Sequence, residues 1–120
     1  MATTVLIVDD HHGFRAWARS LLESEGYAVI GEASSGASAL SSAIALEPDL
    51  VLLDVMLPDS SGFEVAERLR GIAAPPLVIL VSSHDESDFG RRLDAAAAIG
   101  FIPKPELSGA RLRDLLGAAS

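Results

Sequence analysis

The chain contains no cysteine. A disulfide framework and thiolate metal sites are therefore excluded, and this usage fits a reducing compartment, read here as the cytoplasm. No apolar run approaches the roughly 20 residues needed to cross a bilayer. No basic leader precedes the first apolar stretch after Met1-Ala2-Thr3-Thr4, so neither a membrane span nor a signal peptide is expected. Positive charge is scarce: 9 Lys and Arg stand against 17 Asp and Glu, for a formal net charge of -8. No basic stripe interrupts that balance. An acidic surface repels phosphate backbones, so direct nucleic-acid binding is not expected. Lysine is scarcest of all, because Lys104 is the only one and the remaining members of the Lys and Arg set are arginines.

What is present is the material of one globular domain. The length is 120 residues, with 49% hydrophobic and 22% charged, enough to bury a core without staples. Five short apolar runs recur: Val5-Leu6-Ile7-Val8, Ala28-Val29-Ile30, Leu50-Val51-Leu52-Leu53, Leu77-Val78-Ile79-Leu80-Val81 and Gly100-Phe101-Ile102. Several are hydrophobic throughout rather than alternating, which reads as strands buried on both faces of a parallel sheet. Helical spacing fills the intervals. Phe14, Trp17, Ala18, Leu21 and Leu22 predict a first helix closed at Gly26. Ala37, Leu40, Ala43 and Ile44 predict a second, ended by Pro48. Phe63, Val65, Ala66 and Leu69 predict a third, stopped near Gly71. Phe89, Leu93 and Ala96 predict a fourth that runs to Gly100, and Leu107, Leu112, Leu115 and Leu116 a fifth. Strand and helix thus alternate five times, the pattern of a doubly wound α/β sheet. In such sheets ligands bind beyond the C-terminal ends of the strands.

The residues at those ends are chemically unusual as a set. Asp9 and Asp10 follow the first run, Asp54 the third, Ser82 and Ser83 the fourth, and Lys104 the fifth. Taken singly, each has an ordinary explanation: Asp10 as a helix N-cap, Ser82 as a turn hydroxyl, Lys104 as a solvated charge. Together they would gather three carboxylates, a hydroxyl and an ammonium on one edge. Clustered carboxylates raise one another's proton affinity. A divalent cation relieves that repulsion, and an all-oxygen set with room for water suits Mg²⁺. A carboxylate beside such a cation can attack phosphorus and form an aspartyl phosphate, with the ammonium offsetting the charge in transfer. In the loop Asp54-Val55-Met56-Leu57-Pro58-Asp59-Ser60-Ser61-Gly62, Pro58 fixes the exit from the strand, and Ser61 with Glu64 forms a candidate capping box.

These motifs resemble the receiver domain of bacterial two-component response regulators over residues 1–120. The resemblance is carried by Asp9-Asp10-His11, the loop from Asp54 to Gly62, Ser82-Ser83 and Lys104-Pro105. Asp-Asp-His with Phe14-Arg15 looks most like receivers that often precede a LuxR-type DNA-binding domain. The implied fold is the flavodoxin-like (β/α)5 sheet of strand order 2-1-3-4-5. The implied roles are these: Asp54 accepts the phosphoryl group; Asp10, Asp54 and the backbone carbonyl of Met56 bind Mg²⁺, with Asp9 acting directly or through water; Lys104 pairs with a phosphoryl oxygen. Ser82 is then the switch hydroxyl and Phe101 the aromatic that moves with it, while Met56 and His84 flank the path of hydrolytic water. The Lys104–Pro105 bond is expected to be cis. The implied partners are a sensor histidine kinase and a downstream protein or a C-terminal output domain, with phosphorylation-dependent dimerisation an open alternative. Met1 and the short tail Gly117-Ala118-Ala119-Ser120 point to a stand-alone receiver. Ser60 departs from the family's bulky apolar residue, Pro103 removes a backbone donor, and Phe101 lacks a tyrosine hydroxyl. Two other readings compete. An aspartyl-nucleophile phosphatase would place Asp-x-Asp after the first strand, and a degenerate docking module would have lost part of the acidic pair, Asp54, Ser82 and Lys104.

Overall fold

The computed structural model describes residues 2–84, 86–94 and 96–119; Met1 and Ser120, the chain ends discussed above, lie outside them. Five strands, β1 (Thr4–Val8), β2 (Ala28–Ala33), β3 (Leu50–Asp54), β4 (Leu77–Ser82) and β5 (Gly100–Pro103), form one sheet of order β2-β1-β3-β4-β5. All four pairings are parallel. The continuous apolar runs explain the arrangement: β3 is buried at every position, and β1 at all but its first. Helices cover both faces. Leu6, Val8, Val51, Leu53 and Leu80 point to one side with Val65, Ala66 and Leu69, while Val5, Ile7, Leu52 and Ile79 point to the other with Ala18, Leu22 and Leu112. Among the described residues no helix is long and apolar enough to cross a membrane.

The helices are α1 (His12–Ser24), α2 (Gly36–Leu46), α3 (Gly62–Arg70), α4 (Arg91–Asp94) and α5 (Gly109–Ala119). Helix α1 ends as expected, since Gly26 takes φ +91 just past it, a conformation glycine adopts without steric cost. Helix α2 differs in its buried face. Gly36, Ala39 and Ala43 are buried, whereas Ile44 is 62% exposed. Small residues let α2 approach the sheet closely, and that close approach wins over the larger side chains. A true capping box sits here too, because the Ser35 and Ser38 hydroxyls serve each other's backbone amides. At α3 only half of the expected box forms: the Ser61 hydroxyl accepts from the Glu64 amide at 3.2 Å.

The fourth helix is the main correction. Instead of running from Phe89 to Gly100, the segment makes a 3₁₀ turn over Glu86–Asp88, the single turn of α4, and bends at 96–99. Gly90 at φ +54 interrupts the helical path. The amides of Arg92, Leu93 and Ala96 bond three residues back rather than four, and Ile99 donates to Val78 of β4 at 2.8 Å. Tertiary pull from the sheet thus overrides a good local propensity.

Candidate functional site

Each site residue is placed by a strand end. Asp9 continues β1, its amide bonding the Ala33 carbonyl at 3.0 Å, and it is fully buried. Asp54 closes β3 and is 3% exposed. Behind it the chain doubles back tightly: Gly62 donates to the Val55 carbonyl at 2.6 Å, and a Cβ at position 62 would run into the Asp54 carbonyl. Only glycine lets the loop close against the strand there. Asp10 does not cap α1. His11 is the N-cap residue, without a side-chain cap bond, so the Asp10 carboxylate is left to the site.

Lys104 reaches across the sheet edge. Its ammonium lies 2.7 Å from Asp9 Oδ2 and 3.6 Å from Asp54 Oδ2, and 4.4 Å above the centre of the Phe14 ring, where the π face favours a cation. Asp9 Oδ2 is buried, and the ammonium is its ion-pair partner. The other oxygen, Oδ1, accepts from the His11 amide at 2.8 Å. Asp54 Oδ1 accepts from the Met56 amide at 3.2 Å. Burial first, and then the negative charge of Asp9, push the Asp54 carboxyl up to about 6, although Lys104 and the Met56 amide pull the other way. Acidic and imidazole ligand atoms of Asp9, Asp10, His11 and Asp54 all lie within 4.8 Å of one another. Three carboxylates gathered this closely supply hard oxygen donors that fit a divalent cation. A cleft of about 310 Å³ opens over the group, walled by Asp10, Asp54, Met56, Ser82 and Lys104 among others.

A sequence profile described as the response regulator receiver domain matches residues 5–116. The chain belongs to the response regulator receiver family. This receiver is 38% identical to BvgA of Bordetella pertussis over 119 residues, which cover 99% of this chain and 55% of that one. It is 42% identical over 103 residues to the transcriptional regulatory protein KdpE of Mycobacterium tuberculosis, covering 86% of this chain and 45% of that one. The receiver therefore spans about half the length of the curated relatives it matches. Among solved structures it is similar to a LuxR-family two-component response regulator from Aurantimonas, with a TM-score of 0.85, 28% identity and 99% and 85% of the two chains covered. It is also similar to a CheY-like receiver domain from Methylobacillus flagellatus, at TM-score 0.86, 25% identity and 100% of both chains. Receiver domains are signalling domains of two-component systems, typically with Mg²⁺ in an acidic pocket.

Within the receiver, two of the residues singled out in the sequence stand away from the cleft. His84 does not line it; its ring lies edge-on to Phe89, and Nδ1 is 3.7 Å from Asp88. Phe101 is buried in the core, edge-on to Phe89 at 5.6 Å between centroids. The Ser82 hydroxyl accepts from the His84 amide at 3.1 Å. The Lys104–Pro105 bond is trans, contrary to expectation, since no cis bond occurs among the described residues; the small preference at an X–Pro bond lets local packing choose. Sequence reasoning missed four contributors. His11 touches both members of the acidic pair, and Phe14 seats Lys104. Arg15 donates to the Asp9 carbonyl at 2.6 Å and to Glu32 at 3.0 Å. Asp59 caps α2 by accepting from the Gly36 and Ala37 amides at 2.7 and 3.1 Å, which hold its carboxyl below the usual range. All four stood in the motifs that carried the resemblance, but no role at the site was read for them.

Proposed function

We propose that this receiver is a phosphorylation switch whose phosphoacceptor is Asp54. A sensor histidine kinase in the cytoplasm is the donor. An Asp54 carboxylate oxygen attacks phosphorus, the bond from phosphorus to the kinase histidine nitrogen breaks, and an acyl phosphate forms on the receiver. The observation that carries this reading is the position of Asp54: buried at the end of β3, crowded by Asp9, yet open to a cleft and 3.6 Å from the only lysine. Asp10, Asp54 and the Met56 carbonyl, with Asp9 directly or through water, are the residues that would hold Mg²⁺. That ion would screen the phosphoryl oxygens while the bond forms. Lys104 supplies a second positive charge to a phosphoryl oxygen. Ser82 offers its hydroxyl from the same cleft, and Phe101 responds through packing. The receiver itself turns over no substrate; its output is a contact with a downstream protein or a C-terminal output domain.

The test is treatment with acetyl phosphate and MgCl₂ followed by intact-mass measurement. One stable phosphoryl adduct is expected on the wild type and none on Asp54→Asn. Equal adducts on both would refute the assignment, continuous release of phosphate would favour a phosphatase, and no adduct at all a docking module.

A further inference from the structure

His11 is the one member of the site cluster to which the phosphorylation reading gives no task. Its ring is 70% exposed, so packing does not require it. It occupies the N-cap position of α1 without capping the helix through its side chain. Yet Nδ1 lies 3.1 Å from Asp9 Oδ1 and also 3.1 Å from Asp10 Oδ1. A neutral imidazole has at most one hydrogen on that nitrogen, and one hydrogen cannot serve two carboxylate oxygens well. Asp9 Oδ1 has moreover already received the His11 amide at 2.8 Å. The convergence has a second explanation in coordination chemistry. Adjacent ligand atoms around an octahedral ion with bonds of about 2.1 Å stand about 3.0 Å apart. The two nitrogen-to-oxygen separations match that spacing, and ligand atoms of Asp9, Asp10, His11 and Asp54 all lie within 4.8 Å of one another.

We propose that His11 Nδ1 is a ligand to the divalent cation at this site, and that it shifts the site's preference from Mg²⁺ toward transition ions such as Co²⁺ and Ni²⁺. This rests on the metal site of the preceding reading and adds to it a residue and a selectivity. Carboxylate, carbonyl and water suit Mg²⁺, whereas imidazole nitrogen adds most for the later divalent ions of the first row. A site of three aspartates alone would discriminate weakly between them. With His11 in the ligand set, the ion that loads the receiver depends on which divalent metals are at hand.

Calorimetric titration of the untagged chain with MgCl₂ and with CoCl₂ tests this, together with electron spin-echo measurements on bound Mn²⁺. His11→Phe should lower the ratio of Co²⁺ to Mg²⁺ affinity by about tenfold, at the low end of what disturbing a ligand environment costs. The nitrogen modulation of bound Mn²⁺ should vanish in His11→Phe and persist in His12→Phe, whose ring belongs to no such cluster. Equal loss of Mg²⁺ and Co²⁺ affinity, or no nitrogen modulation in the wild type, would overturn the role of His11 while leaving the aspartate site standing. Binding of neither ion by the wild type, or undiminished Mg²⁺ binding in Asp10→Ala, would instead bring down the metal site itself.

Discussion

At the scale of single residues, Asp54 sets function against stability. Its carboxyl is held near 6 in the folded chain against an ordinary 3.8. Between those values the folded state binds a proton that the unfolded state has lost, so stability falls as pH rises through the window. The contribution of the neutral form is complete below 3.8 and gone above 6. Without metal, Asp54→Asn removes the buried charge, and urea unfolding in EDTA should find it more stable than wild type at pH 7.5. The gain should be about 2 kcal/mol once solvent access through the cleft is allowed for, and it should disappear near pH 4. A variant that is less stable at both pH values would contradict the burial of Asp54 and its crowding by Asp9. Met56 governs a different property. It is 58% exposed on the cleft wall, and its thioether is a poor partner for water. Met56→Asn, whose amide can orient an attacking water, should shorten the life of the phosphorylated chain several-fold. His84, turned toward Asp88 and Phe89, should matter less. Phosphate release followed in Met56→Asn and His84→Ala would reverse this view if the histidine variant showed the larger change.

At the scale of elements, the fifth strand is tied to α3 and α4 by aromatic rings. Phe101 of β5 meets Phe89, and Phe89 meets Phe63 of α3 at 5.7 Å between centroids, both edge-on; the Arg92 guanidinium of α4 lies 4.4 Å over Phe63. Motion of Phe101 therefore has to displace Phe89. Phe89→Ala removes both phenylalanine pairs and the His84 contact and should cost about 1–3 kcal/mol. Hydrogen exchange with and without beryllofluoride should change most between Ser83 and Leu112 in the wild type, and that difference should shrink in Phe89→Ala; a largest change in α1 would break the proposed route. The strands that carry this arrangement were legible because runs such as Leu50-Val51-Leu52-Leu53 are buried on both faces, and the strand ends then located Asp9, Asp54, Ser82 and Lys104. The fourth helix was not legible. The spacing of Phe89, Leu93 and Ala96 there promised a helix, while the positive φ of Gly90 and the pull of Ile99 into the sheet belong to tertiary structure. The same holds for Asp59, which caps a helix 22 and 23 residues earlier in the chain, and for Phe14, whose spacing announced a core position rather than a seat for an ammonium.

At the scale of the whole molecule, an acidic chain of formal charge -8 keeps one half-buried ammonium among its carboxylates. A cation that binds only the folded site stabilises the entire fold by mass action. With Mg²⁺ at about ten times its dissociation constant the gain should be about 1.4 kcal/mol, read as a higher melting temperature in wild type and a much smaller rise in Asp10→Ala; equal rises would mean that Mg²⁺ acts through general surface charge. The scarcity of lysine has a practical corollary. Because Lys104 is the sole lysine, the only side-chain primary amine of the chain sits beside the carboxylate cluster, 15% exposed and drawn toward Asp9 and Asp54. Amine-directed reagents then have one side-chain address, the site itself. A mild acylating agent should mark Lys104 slowly, and that rate becomes a gauge of how firmly the ammonium is held, readable in one mass spectrum without any introduced label.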